Sequence, residues 1–204
     1  ERFLHCTHGA IESRPIKGTR PRGATPALDA QIAADLLARS KDRAENTMIV
    51  DLLRNDLAKN CRDGSIEVPQ LCALEKFSNV HHLVSTIRGT LRPDTSPLEA
   101  LRDIFPGGSI TGAPKIQAMG VIAELEPHAR GPYCGAMGYV GFDGQMDTNI
   151  LIRSSVIKGR DVYFHAGGGI VADSEAGAEY NETLDKASGL IAALTGTAAK
   201  ARSA

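Results

Sequence analysis

The sequence contains no tryptophan, and aromatic residues make up only 4% of its 204 positions. It also lacks an excess of either charge, because 23 lysines and arginines oppose 24 aspartates and glutamates. Binding of duplex nucleic acid needs a basic face, so this balance argues against such a partner. No apolar run reaches the length of a membrane span, and the N-terminus lacks a secretory signal pattern. We therefore expect a soluble, cytoplasmic protein that binds neither nucleic acid nor membrane.

Cysteine is also scarce, and its four positions are scattered without a Cys-x-x-Cys pair: Cys6, Cys61, Cys72 and Cys134. This spacing indicates neither a zinc site nor a disulfide framework. We expect all four to be small core residues.

Hydrophobic periodicity predicts a mixture of strands and helices. Closely spaced aliphatic residues punctuated by glycine and proline predict extended segments over 2–19, and helical spacing predicts one or two helices over 27–59. Further strands are predicted at 65–72, 81–91, 134–142, 148–157 and 162–166, and further helices at 97–104, from 115 through 125, and at 174–194. The tail 195–204 is expected to fray. We predict an α+β fold, with a mainly antiparallel sheet flanked by helices, as one domain over 1–204.

The stretch 14–23 holds one lysine, Lys17, between Pro15 and Gly18. Proline restricts the backbone and glycine allows a turn or a close approach, so the lysine is expected to be held in place. Like-charge repulsion from the neighbouring arginines would favour a neutral amine, which is a nucleophile. The alternative is a basic loop that binds phosphate or faces solvent. The arginines concerned are Arg14, Arg20 and Arg22.

Two predicted helices carry matched acidic pairs, Asp42 with Glu45 and Glu179 with Glu182. A spacing of three residues places both carboxylates of a pair on one helix face. If the two faces meet, the oxygen ligands suit Mg²⁺. The alternative for each pair is a solvated acidic face. Lys186, one turn beyond Glu182, can pair with it or reach an anionic ligand.

Two glycine-rich stretches are candidates for binding anions. Gly167–Gly169 follow a predicted hairpin strand, which argues against a dinucleotide fold and leaves backbone N–H groups for a small carboxylate, or simply a tight turn. Gly107–Lys115 resembles a phosphate loop but lacks the Gly-Lys-Ser/Thr ending. Its Ser109 and Thr111 precede a helix, where they can cap it or help its N-terminus bind an anion.

Three further side chains have polar atoms that could bind a substrate. Arg153 lies within the predicted strand 148–157, where an arginine is unusual unless its planar fork binds a carboxylate. Tyr133 can donate from its phenol, although a core role is common for tyrosine. His82 opens a strand, and a lone histidine is more often structural.

Taken together, these residues resemble the chorismate-utilising enzymes over nearly the whole chain. The resemblance is carried by PIKGT at 15–19, DRAEN at 42–46, HLVST at 82–86, FPGGSITGAPK at 105–115, GGGIVADS at 167–174 and EYNE at 179–182. With a lysine at position 17, the sequence resembles the branch of the family that forms 4-amino-4-deoxychorismate. Members that form anthranilate typically carry alanine at this position.

The resemblance implies a role for each candidate residue. Lys17 would be a covalent nucleophile, Glu1 the general acid at the leaving hydroxyl, and His82 a neighbour of that hydroxyl. Glu45 and Glu182 would bind Mg²⁺ directly, with Asp42 and Glu179 behind them through water, and the ion would hold the ring carboxylate of chorismate. The remaining substrate-binding residues would be Thr19, Ser109, Tyr133, Arg153, Gly167, Gly168, Gly169 and Lys186.

The implied reaction aminates chorismate with ammonia supplied by a partner glutamine amidotransferase, on the route to p-aminobenzoate and folate. Because family members have a further N-terminal half, we expect this chain to correspond to their C-terminal, chorismate-binding portion. Three alternatives are an anthranilate or isochorismate synthase, a non-catalytic chorismate-binding fragment, and an isoprenoid-type Mg²⁺–diphosphate enzyme. The long strand-rich segments between the helices argue against the last.

Overall fold

The computed structural model describes residues 1–196, and these fall into two compact units. Unit 1 comprises Glu1–Leu125 and Ala136–Ile150, and unit 2 comprises Glu126–Gly135 with the described part of Leu151–Ala204. The prediction of one domain over residues 1–204 stays a prediction. Most of the tail expected to fray lies outside the described residues.

Unit 1 is built on a seven-stranded antiparallel sheet flanked by helices, which confirms the predicted fold class. The sheet order is β3-β5-β2-β1-β7-β6, and β4 also pairs with β5. The strands are β1 (Arg2–Thr7), β2 (Ala10–Arg14), β3 (Ile16–Pro21), β4 (Glu67–Lys76), β5 (Val80–Thr90), β6 (Ala136–Val140) and β7 (Met146–Ile150). The helices are α1 (Pro26–Ala38), α2 (Ser40–Ala58), α3 (Pro97–Ile104) and α4 (Lys115–Leu125), with a 3₁₀ turn at Gly108–Ile110.

Strands β2 and β3 follow one another along the same edge of β5. Ala10–Ser13 pair with Ile87–Thr90, and Ile16–Pro21 pair with Val80–Val84. Pro15 separates the two pairings, and its carbonyl accepts a hydrogen bond from the Ser85 amide at 3.1 Å. Proline has no N–H for the ladder, which explains why the pairing is interrupted there.

Helix α2 packs against β3 and β5 through an apolar stripe. Ile49, Val50, Leu53 and Leu57 are all buried and recur at the spacing of one helix face. The first acidic pair, Asp42 and Glu45, lies near the N-terminal end of α2, which packs against β3. The sequence pattern had predicted one or two helices here, and the chain forms two, with Arg39 between them.

Unit 2 contains a two-stranded antiparallel sheet and one long helix. The strands are β8 (Ser155–Lys158) and β9 (Asp161–Phe164), and the helix is α5 (Ala176–Thr195). The predicted continuous strand 148–157 is wrong, because β7 ends at Ile150 and β8 begins at Ser155. Arg153 lies between them with φ +54°, a left-handed conformation that no regular strand adopts. Residues 155–158 pair with β9 instead, so that β8 and β9 form a separate small sheet.

All four cysteines are buried and unbridged, as expected from their spacing. Within residues 1–196, no helix combines the length and apolar character needed to cross a membrane.

Candidate active site

A β-bulge in β3 sets the direction of Lys17. Ile16 pairs with Val84 and Thr19 pairs with His82, so β3 has one residue more than β5 over this step. Gly18 takes φ +85° within the bulge, a conformation that favours glycine. Bulges turn a side chain away from its regular direction in the sheet. Here the bulge accompanies a lysine side chain that reaches helix α2.

Lys17 ends in a partly enclosed polar cluster. Its Nζ donates to Glu45 Oε1 at 2.8 Å and to the Ser109 carbonyl oxygen at 3.4 Å. The Lys17 and Glu45 side chains are only 16% and 19% exposed, so neither is a freely moving surface group. The prediction that Lys17 is held in place is confirmed.

The expected crowding of Lys17 by arginines is wrong. Arg14 pairs with Glu75, and Arg20 NH2 lies 3.5 Å from Asp42 Oδ2. Arg22 makes a two-pronged contact with the Asp29 carboxylate at 2.7 and 2.9 Å. Each arginine is therefore compensated by its own carboxylate, and the charge that lies nearest to the Lys17 amine is that of Glu45.

Glu1 lies next to the same cluster. Burial raises the pKa of its carboxyl above the usual range, against the opposing effects of a hydrogen bond from the Ser109 side chain and of the Lys17 charge. A carboxyl that keeps its proton at higher pH is suited to general acid catalysis. Ser109 lies near both predicted catalytic groups, since its side chain lowers the pKa of Glu1 and its carbonyl accepts a hydrogen bond from Lys17.

Asp42 packs directly against the bulge. A Cβ at Gly18 would lie 3.2 Å from Asp42 Cβ, a tight contact that, together with φ +85°, favours glycine at this position. Among the described residues, the buried Asp42 Oδ2 has no hydrogen-bond partner, although Arg20 is near it. A buried carboxylate oxygen without a partner fits an additional ligand such as a cation or its water. Asp42 and Glu45 thus present the all-oxygen donors that Mg²⁺ prefers.

A buried polar network fixes α2 beside Glu45. Ser85 Oγ donates to Asn46 Oδ1 at 2.5 Å, and Asn46 Nδ2 donates to the Leu83 carbonyl at 3.3 Å. Asn46 is completely buried. Sequence reasoning missed its role, although an asparagine within the apolar stripe of a helix was a signal that it has buried partners.

Thr19 and His82 meet at the open side of the sheet. Thr19 Oγ1 and His82 Nδ1 are 2.7 Å apart across the β3–β5 pairing. Glu1 and His82 line the same cavity of about 340 Å³, together with Arg14 and Phe77. Unit 1 therefore brings together, as contacting or neighbouring groups, the predicted residues Glu1, Lys17, Thr19, Asp42, Glu45, His82 and Ser109.

In unit 2, the second acidic pair lies against the glycine-rich segment. A Cβ at Gly168 would lie 3.1 Å from Glu179 Oε2, 3.6 Å from Glu182 Oε1 and 3.7 Å from Lys186 Nζ. Lys186 Nζ forms the predicted pair with Glu182 Oε1 at 2.5 Å. The Gly168 backbone therefore lies close to all three of these polar groups.

Tyr133 adjoins the same segment of unit 2, and Arg153 contacts the helix that carries the acidic pair. A Cβ at Gly167 would lie 3.2 Å from the Tyr133 hydroxyl, and the Tyr133 ring stacks on His165 with centroids 5.3 Å apart. Burial, with the neighbouring Cys134, raises the pKa of Tyr133 to about 12. Arg153 NH1 donates to the Lys186 carbonyl at 2.7 Å. Gly169 is exposed.

Each unit supplies one acidic pair, and each pair is engaged by a lysine: Glu45 by Lys17 and Glu182 by Lys186. Within either unit, the described His, Cys, Asp and Glu side chains form no group of three or more placed to hold a metal. One unit alone would thus offer a metal only a pair of carboxylates, which is within the usual number of direct protein ligands for Mg²⁺.

Comparison with known proteins identifies the family. Residues 1–192 match the family described as chorismate binding enzyme. The chain belongs to the chorismate-binding enzyme family. It is 51% identical over 191 residues to aminodeoxychorismate synthase component 1 of Salmonella typhimurium, covering 94% of this chain and 42% of that protein. It is 47% identical over 194 residues to anthranilate synthase component 1 of Geobacillus stearothermophilus, covering 95% and 38%.

A solved structure agrees with this membership. Anthranilate synthase component I from Streptococcus pneumoniae has a TM-score of 0.82 and 40% identity, covering 92% of this chain and 41% of that one. The chain spans about two fifths of the length of the curated relatives it matches.

Proposed function

We propose that the chain is the chorismate-binding part of an aminodeoxychorismate synthase, which converts chorismate and ammonia into 4-amino-4-deoxychorismate. The observation that carries the proposal is the lysine at the β3 bulge. Lys17 is enclosed, its amine lies beside the carbonyl of Ser109, and the side chain of Ser109 contacts a carboxyl with a raised pKa. A held amine and a neighbouring acid are the two groups that the amination needs.

In the first step, the neutral Lys17 amine attacks C2 of the chorismate ring. The C2–N bond forms, the ring double bonds shift, and the C4–O bond breaks. The hydroxyl leaves as water with the proton of Glu1, because hydroxide itself is a poor leaving group. His82 would lie near that hydroxyl, since His82 and Glu1 line one cavity.

In the second step, ammonia attacks C4, the double bonds shift back, and the C2–N bond to Lys17 breaks. The lysine is regenerated and 4-amino-4-deoxychorismate leaves. A partner glutamine amidotransferase would supply the ammonia, and the product would serve p-aminobenzoate and folate synthesis.

Glu45 and Glu182, with Asp42 and Glu179 behind them, would hold Mg²⁺, which when bound would neutralise the ring carboxylate of chorismate and absorb charge shifted along the ring. The fit rests on the all-oxygen donor set and on Asp42 Oδ2, which accepts no hydrogen bond from the described residues although the Arg20 guanidinium lies 3.5 Å from it. Glu45, which accepts a hydrogen bond from Lys17 at 2.8 Å, would be one of the direct ligands.

The other carboxylate of chorismate, on its enolpyruvyl group, would be bound by residues of unit 2. Arg153 and Tyr133 supply donors, and the backbone N–H groups of Gly167–Gly169 add to them. Thr19, Ser109 and Lys186 would complete the lining of the site. The position of Arg153 at a bend, with one guanidinium nitrogen on the Lys186 carbonyl, leaves its other nitrogens for a substrate oxygen.

The test is product analysis after incubation with chorismate, Mg²⁺ and an ammonium salt, with Lys17→Ala as the matched variant. The proposal expects 4-amino-4-deoxychorismate from the wild type and none from Lys17→Ala. The competing candidate is anthranilate synthesis, which the 47% identity to an anthranilate synthase component favours. Anthranilate as the product would replace the proposal with that candidate, and binding of chorismate without turnover would reduce it to a binding function.

A further inference from the structure

Lys115 links the two ends of the loop that carries Ser109. This loop runs from Phe105 to Pro114, between the last residue of α3 and the first residue of α4. Lys115 Nζ donates to the Ile104 carbonyl at 2.8 Å, just before the loop, while Lys115 itself stands just after it. One side chain therefore closes the loop at its base.

The amine of Lys115 is also held by a buried carboxylate. It contacts Asp56, whose side chain is 2% exposed, and the Lys115 side chain is 13% exposed. A carboxylate buried this deeply needs a charged partner, and removing one member of such a pair is strongly unfavourable. Lys115 thus has its hydrogen bonds directed inward, so it is not available to bind an anion at the start of α4.

The loop between these ends packs closely against neighbouring side chains. A Cβ at Gly108 would lie 2.5 Å from Leu52 Cδ2, and one at Gly107 would lie 2.9 Å from Ile150 Cδ1. Thr111 Oγ1 donates back to the Gly107 carbonyl at 3.0 Å instead of capping α4. The loop is therefore placed by its surroundings and its base, and Ser109 lies within it.

Helix α2 contacts both the lysine at the base of this loop and the candidate nucleophile. Glu45, near its start, holds Lys17, and Asp56, near its end, holds Lys115. The Ser109 carbonyl accepts a hydrogen bond from Lys17, and the Ser109 side chain lies near enough to Glu1 to lower the pKa of its carboxyl. A shift at the base of the loop would move Ser109 relative to the other two groups.

We propose that Lys115, held by Asp56, is a positioning residue that sets Ser109 against Lys17 and Glu1. The proposal rests on the proposed function for its catalytic consequence, whereas its structural consequence can be measured without turnover. The role was not visible in the sequence, because Asp56 and Lys115 are far apart along the chain.

The experiment compares three variants of the full chain in hydrogen exchange and in steady-state turnover of chorismate with ammonium. Lys115→Met removes the link. The matched control is Lys59→Met, because Lys59 contacts the same Asp56 at 3.0 Å but is 49% exposed and does not touch the Ile104 carbonyl. The double variant Asp56→Leu/Lys115→Met replaces the ion pair by apolar side chains, a change that often preserves stability.

We expect amides of residues 107–111 to exchange about tenfold faster in Lys115→Met and in the double variant than in Lys59→Met, which should match the wild type. Misplacement of reacting groups by about 1 Å can cost about 100-fold in rate, so kcat should fall by about 10- to 100-fold, with a smaller change in KM. Thermal melting followed by circular dichroism identifies any variant that fails to fold, and the double variant is the one expected to melt like the wild type.

Two results would overturn the proposal. One is wild-type exchange and kcat in Lys115→Met, and the other is restoration of both in the double variant, which would show that the pair contributes only stability. If the wild type itself makes no 4-amino-4-deoxychorismate, the proposed function fails, but the exchange comparison still decides whether Lys115 holds the loop.

Discussion

Replacement of Gly18 by alanine tests how the bulge presents Lys17. Gly18 has φ +85°, and a Cβ there would lie 3.2 Å from both Asp42 Cβ and Leu36 Cδ1. The substitution therefore combines backbone strain with a close contact. Leu36 is completely buried, so its side chain has little freedom to move away.

The two effects can be separated by magnitude. A left-handed conformation costs an ordinary residue about 1–2 kcal/mol, and overpacking a well-packed site costs about 1–3 kcal/mol. We expect Gly18→Ala to lower the free energy of unfolding by about 2–5 kcal/mol. The matched control is Gly64→Ala, with φ +71° and nothing within 4 Å of the added Cβ. Gly64→Ala should lower the free energy of unfolding only through backbone strain, by about 1–2 kcal/mol.

Urea unfolding followed by circular dichroism measures both free energies, and turnover of chorismate with ammonium measures the effect on the site. Gly18→Ala should also lower turnover, because it displaces Asp42 and Lys17, whereas Gly64→Ala should leave turnover unchanged. Equal losses of stability in the two variants, with full activity in both, would refute the argument that the bulge needs a glycine to pack against Asp42.

Three further predictions concern ionisation and metal binding. In an absorbance titration, one of the four tyrosines should ionise near pH 12, and that step should vanish in Tyr133→Phe. Because this pKa is raised in the fold, the stability linked to Tyr133 should be complete below the unfolded pKa of about 10 and lost as pH rises through the folded value; a titration with no late step would contradict this. The wild-type rate should fall as pH rises through the raised pKa of Glu1, and Glu1→Gln should lose activity across that range; an active Glu1→Gln would exclude Glu1 as the acid. Isothermal titration should detect Mg²⁺ binding that weakens in Asp42→Asn, and equal affinity in wild type and variant would remove Asp42 from the metal site.

Features governed by local chemistry could be predicted from the sequence. Helix α3 begins after Ser96, whose side chain accepts from the Glu99 amide while Glu99 bonds back to the Ser96 amide. Pro97 at the first helical position completes this signal, and the predicted bounds 97–104 are those observed. The acidic pairs and Lys17 were likewise recognised as candidates from residue type and spacing.

Features that depend on distant partners could not be predicted. Arg153 was expected within a strand, but its guanidinium donates to the carbonyl of Lys186 on α5 and its backbone bends at that point. The arginines around Lys17 were expected to repel it, yet Asp29 and Glu75, which neutralise two of them, belong to α1 and β4. Nothing in the local sequence shows these pairings, because they arise only when the elements pack.

The account depends most on the nucleophilic role of Lys17, and mass spectrometry of the protein quenched after mixing with chorismate and Mg²⁺ without ammonia tests it most directly. We predict an added mass of chorismate less one water on the peptide that contains Lys17, lost on addition of ammonium and absent in Lys17→Ala. Full turnover by Lys17→Ala, or turnover by the wild type with no adduct on that peptide, would contradict the account.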